Sequence, residues 1–118
     1  MLKQNPKTRC EKRSIAKAVG PCRLYSTLQS RYADLLQGNA EVKEIRCNYA
    51  LEGLELGKYS SDFVCLKVDG SYMVRECVDR RHLTKPMTIH LLEESRRYWL
   101  SKGVTDWGLI INSEVING

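Results

Sequence analysis

Apolar positions recur along this chain in two rhythms, and the switches between them mark its elements. Between residues 26 and 37, Leu28, Tyr32, Leu35 and Leu36 stand at helical spacing, with Ser26 placed to cap the start and Gly38 to end it. The rhythm then shortens. Residues 42–51 (Val-Lys-Glu-Ile-Arg-Cys-Asn-Tyr-Ala-Leu) alternate as a strand does, and 59–68 and 71–78 read as second and third strands joined by Asp69-Gly70, a short-hairpin signal. Residues 86–102 return to helical spacing with Met87, Leu91, Leu92, Tyr98 and Trp99, and Lys102-Gly103 signals the end of that helix. Residues 107–112 (Trp-Gly-Leu-Ile-Ile-Asn) form a last apolar strand. Helix, three strands, helix, strand predicts an α/β core with a central mixed β-sheet flanked by helices. Both Trp99 and Trp107 are expected to be largely buried in it.

A chain of 118 residues has room for one core. A hydrophobic fraction of 42% and a charged fraction of 28% are those of a folded globular protein. No apolar run approaches the roughly 20 residues of a membrane helix or resembles a secretory leader, so the sequence predicts a cytoplasmic protein with no membrane partner.

Charge changes the picture at one end. Residues 1–20 carry six basic side chains (Lys3, Lys7, Arg9, Lys12, Arg13 and Lys17) against Glu11, whereas the rest of the chain holds 13 basic and 13 acidic residues. The division expected is therefore a basic N-terminal arm over 1–21 and a folded domain over 22–118. Such an arm suits nucleic acid phosphates, and equally a solvated tail. Residues 14–19 have the composition of a short helix stopped by Gly20-Pro21. Five cysteines, odd in number and without a Cys-x-x-Cys pair, argue against a disulfide framework and against zinc, and Cys47, Cys65 and Cys77 read as packing residues within strands. His82 and His90 lack zinc-ligand spacing.

Candidate chemistry lies in the second and third strands. Alternation groups Asp62 with Val64 and Leu66, and Glu76 with Tyr72, Val74 and Val78. If the hairpin faces align, the two carboxylates are placed to share a hard cation. The alternative is structural: Asp62 caps a turn, and Glu76 pairs with an arginine such as Arg75 or Arg80.

From about Arg23 to Val115 the chain resembles the N-terminal nuclease domain of TnsA, the strand-cleaving partner in heteromeric cut-and-paste transposases, of the restriction-endonuclease-like, PD-(D/E)XK superfamily. The resemblance rests on Ser26-Thr27-Leu28-Gln29, Ser60-Ser61-Asp62-Phe63 and Val74-Arg75-Glu76-Cys77-Val78. It also rests on Leu92-Glu93-Glu94-Ser95-Arg96-Arg97-Tyr98-Trp99 with Lys102-Gly103, Trp107 and Ile110-Ile111-Asn112. It implies a restriction-endonuclease-like core in the order α-β-β-β-α-β, with Asp62 and Glu76 as metal ligands. The pattern expects glutamate where Gln29 stands and lysine where Val78 stands. In that chemistry the carboxylates hold Mg²⁺, and the lysine orients the attacking water and offsets phosphate charge. Gln29 lacks the charge and Val78 the ammonium, so the resemblance implies weak Mg²⁺ binding and impaired cleavage unless a lysine such as Lys58 or Lys85 substitutes. No counterpart of the family's C-terminal domain follows Gly118, so transposase subunits, as partners, would meet this domain.

DNA binding depends on other groups. Arg80, Arg81 and Lys85, with His82, flank the predicted start of the second helix, where free N–H groups and the helix dipole favour phosphate. Contact to the DNA backbone is the expected mode, while Arg96 and Arg97 are spaced to pair with Glu93 and Glu94. Three functions follow from the sequence: a TnsA-like protein that binds DNA or a transposition partner with impaired cleavage, an active divergent Mg²⁺-dependent endonuclease, and a repurposed protein-interaction module.

Overall fold

The computed structural model describes residues 11–53 and 59–112. Its main sheet has four strands in the order β3-β4-β5-β6: β3 (Val42–Leu51), β4 (Tyr59–Lys67), β5 (Tyr72–Val78) and β6 (Asp106–Ile111). The first three are antiparallel neighbours, and β6 runs parallel to β5, so the sheet is mixed. Helix α1 (Thr27–Gln37) precedes β3, and α2 (Pro86–Ser101) forms the crossover from β5 to β6. A small antiparallel pair, β1 (Glu11–Arg13) with β2 (Cys22–Leu24), comes first.

Local signals account for these elements. Ser26 caps α1 by accepting from the Gln29 N–H, and Pro86 opens α2, where its missing N–H costs nothing. Gly70 has φ 89 in the hairpin turn, a conformation that glycine adopts without strain. Alternate strand residues then feed two cores. Phe63, Cys65, Met73 and Cys77 pack towards α1 with Ala33 and Leu36, whereas Val64, Val74 and Val78 pack towards α2 with Leu92 and Trp99. Trp99 is buried and Trp107 half-buried.

Three expectations change. Residues 11–21 are part of the folded body: Ile15 is buried, Ala18 bridges Ile45, and Arg13 pairs with Asp34 of α1 at 2.6 Å. Residues 14–19 form turns and a bridge in place of a helix, because Ile45 and Val19 satisfy their backbone across to each other and to Lys17. The described part of the basic segment is thereby tied down by tertiary contacts that its composition does not reveal.

Cysteine pairing also departs from the packing role expected. Cys22 on β2 and Cys47 on β3 form a disulfide with Cα atoms 5.2 Å apart, whereas Cys65 and Cys77 are free and buried. Burial pushes the Cys65 thiol up to about 12 and raises that of Cys77, which makes both poor nucleophiles. The bridge closes a separation of 25 residues. Cys22→Ser with Cys47→Ser is expected to lower unfolding stability by about 3 kcal/mol, read from urea denaturation under non-reducing conditions. An unchanged midpoint would mean that the thiols are not joined in solution.

The third change is on α1. Leu35, expected on the apolar face, is 69% exposed, and the buried residues are Gln29, Ala33 and Leu36. A glutamine has taken a core position. The site explains why.

Candidate functional site

The sheet breaks its alternation where Asp62 stands. Cys47 packs towards α1, yet Tyr49 two residues later lies against Trp99 of α2, with ring centroids 5.3 Å apart. Between them Asn48 has φ 55, a left-handed conformation that asparagine tolerates better than most residues. Opposite, Ser61 reaches Ser95 of α2, whereas Phe63 packs against Tyr32 of α1. The β4–β5 register runs from Leu66↔Tyr72 to Phe63↔Arg75. Beyond it, side chains link the strands.

Two of those links cross. The Asp62 N–H donates to Glu76 Oε1 at 2.8 Å, and the Cys77 N–H donates to Asp62 Oδ2 at 2.8 Å. Each carboxylate thus accepts a main-chain N–H from the other's strand. Asp62 and Glu76 are 2% and 0% exposed, so these bonds are made without competing water.

Gln29 sets the α1 side of the site. Its Oε1 accepts from the Tyr25 N–H at 2.8 Å, which fixes the amide and turns Nε2 towards Asp62 Oδ1 at 3.5 Å. The side chain therefore presents a donor to Asp62, and its carbonyl is engaged elsewhere. A glutamate here would set oxygen against oxygen and call for a cation between them. This is why a glutamine occupies a buried helix position.

Glu76 looks the other way, towards α2. Its Oε2 accepts from the Ser61 hydroxyl at 2.7 Å and the Ser95 hydroxyl at 2.6 Å. Behind each serine stands an indole: Trp99 Nε1 donates to Ser61 Oγ at 3.0 Å, and Trp107 Nε1 to Ser95 Oγ at 3.1 Å. Each hydroxyl accepts from a tryptophan and spends its one proton on the glutamate. Tyr59, 4% exposed, completes the pocket, and its hydroxyl makes no hydrogen bond among the described residues. Burial and the nearby Glu76 and Asp62 charges raise its pKa.

Electrostatics follow from burial. Desolvation raises the Glu76 pKa above its ordinary value, the Asp62 charge adds to that, and the bonds from Ser95, Asp62 and Ser61 only partly offset it. Desolvation likewise raises Asp62, against the Cys77 N–H.

The expected site residues are thus brought together only in part. Gln29, Asp62 and Glu76 meet, but not on one face: Gln29 and Asp62 lie towards α1, and the Glu76 carboxylate lies towards α2. Val78 follows Glu76 by strand alternation into the α2 core, 1% exposed, where a lysine would bury its charge among apolar side chains. Cys77, one residue earlier, is the one on the Asp62 side. Neither arginine offered as a partner for Glu76 takes that role: Arg75 turns to Asp106, at 2.7 Å. The described partners of the carboxylate oxygens are N–H and O–H groups, and the nearest amide offers nitrogen. Lys58 lies outside the described residues, and Lys85 is the exposed residue that precedes α2.

Ser61, Ser95 and the two indole N–H groups were not singled out by sequence. A signal existed: Thr88, Leu92, Ser95 and Trp99 form the buried stripe of α2, and a serine in such a stripe asks for a buried acceptor.

Of the cationic segment, Arg80 and Arg81 are exposed in a single 3₁₀ turn, Arg80–His82, that leads into α2. Asp79 caps that turn by accepting from the Arg81 N–H at 3.1 Å and lies 3.4 Å from Arg81 Nε. The Arg80 N–H donates to Asn112 Oδ1 at 2.8 Å, which ties the turn to the end of β6. Arg96 and Arg97 pair with Glu93 and Glu94 at 3.8 and 3.7 Å, as their spacing predicts. No described helix is long and apolar enough to cross a membrane. In comparisons with known proteins, the chain matches no family model and no curated protein.

Proposed function

We propose that this chain is a TnsA-like protein with a restriction-endonuclease-like core that holds DNA, or a transposition partner, without efficient cleavage. The observation that carries the loss of cleavage is the orientation of Gln29: its nitrogen, not an oxygen, faces Asp62. A hydrogen bond inside the protein stands where the family's chemistry needs a cation, so Mg²⁺ binds weakly at best. The DNA-facing surface in this reading is the exposed Arg80, Arg81 and Lys85 at the approach to α2. Their contacts are to phosphate, so affinity should fall steeply with salt.

Two measurements test the reading. Supercoiled plasmid incubated with Mg²⁺ or Mn²⁺ should remain intact, as it should with Asp62→Ala. Cleavage by the native protein that Asp62→Ala abolishes would establish the active endonuclease instead. Duplex binding by fluorescence anisotropy should weaken in Arg80→Ala/Arg81→Ala/Lys85→Ala. Its log–log salt slope should become shallower by about 1 for each phosphate contact removed. Duplex affinity and slope equal to those of the native protein would place DNA elsewhere. No duplex binding by the native protein at low salt would favour the protein-interaction module.

A further inference from the structure

At the far end of α2 from Arg80 and Lys85, a groove of about 390 Å³ opens on the α2 face of the sheet. Its walls are Tyr49, Tyr72, Tyr98 and Trp99, with Arg46 and Lys102 at the rim. No carboxylate is among the residues that line it. Tyr49 and Tyr72 are 37% and 48% exposed, an unusual outlay of aromatic surface for a chain with nine aromatic residues in all. Trp99 forms the inner wall, with Tyr49 tilted against it at 5.3 Å and Tyr98 edge-on at 5.2 Å. Lys102 Nζ sits 5.5 Å above the Tyr98 ring, which holds the ammonium at the groove mouth. Arg46 has one ion pair among the described residues, a long one of 3.9 Å to Glu44, and half of its side chain is open to solvent.

Exposed aromatic faces flanked by cations, with no acid among the residues that line the groove, have one chemistry in common: a flat π-surface followed by a negative charge. An unpaired nucleotide supplies both, since its base stacks on tyrosine and its phosphate meets the guanidinium or ammonium. A duplex does not, because its bases are already stacked and its grooves do not present their faces. We propose that this groove binds unpaired single-stranded DNA by stacking a base against Tyr72 and Tyr49 while Arg46 and Lys102 hold the flanking phosphates. The site is separate from the duplex surface proposed above: the 16 residues of α2 span about 24 Å at ~1.5 Å per residue. Trp99 also connects the groove to the interior, because its N–H holds Ser61 against Glu76.

The test is anisotropy of a labelled oligothymidylate of about ten nucleotides, alongside a duplex of the same length and a ribo-uridylate strand. The native protein should bind oligothymidylate at low salt with quenching of tryptophan fluorescence. Tyr72→Ala should weaken that binding about ten-fold and Tyr72→Phe should leave it intact, because stacking needs the ring and not the hydroxyl. Arg46→Gln/Lys102→Gln should flatten its salt dependence, while duplex binding is untouched by all three. Circular dichroism confirms that each variant is folded. The proposal is overturned if oligothymidylate does not bind, or if folded Tyr72→Ala and Tyr49→Ala bind it as the native protein does. It is equally overturned if the ribo-strand alone binds, or if a proline-rich acidic peptide binds in the oligomer's place with the same sensitivity to Tyr72→Ala. Loss of duplex binding in Arg80→Ala/Arg81→Ala/Lys85→Ala with oligothymidylate binding retained separates the two surfaces.

Discussion

Glu76→Ala should destabilise the protein by about 4 kcal/mol or more, a large share of the stability of a chain this size. Three donors lose their acceptor at once: the Ser61 and Ser95 hydroxyls and the Asp62 N–H. All three residues are 0–2% exposed, so water does not replace the carboxylate without opening the core. One effect opposes this. Removing Glu76 relieves the cost of a charge that is buried beside Asp62. That relief is bounded, because a raised pKa lets the native protein escape the charge by taking up a proton. Three orphaned donors at about 1–3 kcal/mol each outweigh it. Glu76→Gln keeps an acceptor oxygen and should cost less than half as much.

The pH dependence has a definite sign. The folded Glu76 pKa lies above its ordinary value of 4.5, so the native state binds the proton more tightly than the unfolded chain does. The contribution is therefore fully present below 4.5 and is lost as pH rises through the folded value. Asp106 acts oppositely: hydrogen bonding to Lys67 lowers its pKa, so its contribution is lost as pH falls. Glu76→Gln should reduce the decline on the alkaline side of 4.5, leaving the part that Asp62 contributes because burial raises it too, and should leave the acid limb. Chemical denaturation across pH measures both. A Glu76→Ala variant more stable than the native protein would mean that the carboxylates are held together under strain for a ligand, and it would return the site to metal chemistry.

The second large effect concerns where a lysine must go to build a nuclease from this core. Gln29→Glu with Val78→Lys should give a poorly folded protein with no activity, because position 78 projects into the apolar core beneath α2. Cys77 is also buried, 6% exposed, but on the α1 side that Asp62 shares. In Gln29→Glu with Cys77→Lys, the Asp62 carboxylate and the one introduced at position 29 therefore offset the burial of the ammonium. That variant should bind Mn²⁺ measurably by calorimetry and nick supercoiled plasmid above the native background. Each substitution alone should do little, since metal affinity and water activation act as a unit. Nicking by the Val78→Lys variant and none by the Cys77→Lys variant would reverse the assignment of faces.

Both predictions turn on what kind of information a linear sequence carries. Local rhythm determined the element order from 26 onward, the Asp69-Gly70 hairpin, and helix limits of 26–37 and 86–102 against the 27–37 and 86–101 found. The ion pairs of Glu93 and Glu94 with Arg96 and Arg97 were legible for the same reason, since both partners lie on one turn of one helix. Gln29, Asp62 and Glu76 were legible as neighbours, through the hairpin and the resemblance. What stayed hidden depends on partners that lie far apart in the chain. Cys22 meets Cys47 because β2 lies beside β3, and the Gln29 amide is aimed by Tyr25 towards a residue 33 positions away. Alternation assumes an unbroken pleat, and across from the left-handed Asn48 it breaks: Asp62 meets Gln29 of α1, whereas Val64 packs towards α2. The sequence alone determined which elements form and in what order. The tertiary structure decided which face each carboxylate takes and which donors surround it, because a period of two carries no memory across a break and a hydrogen bond is satisfied in space.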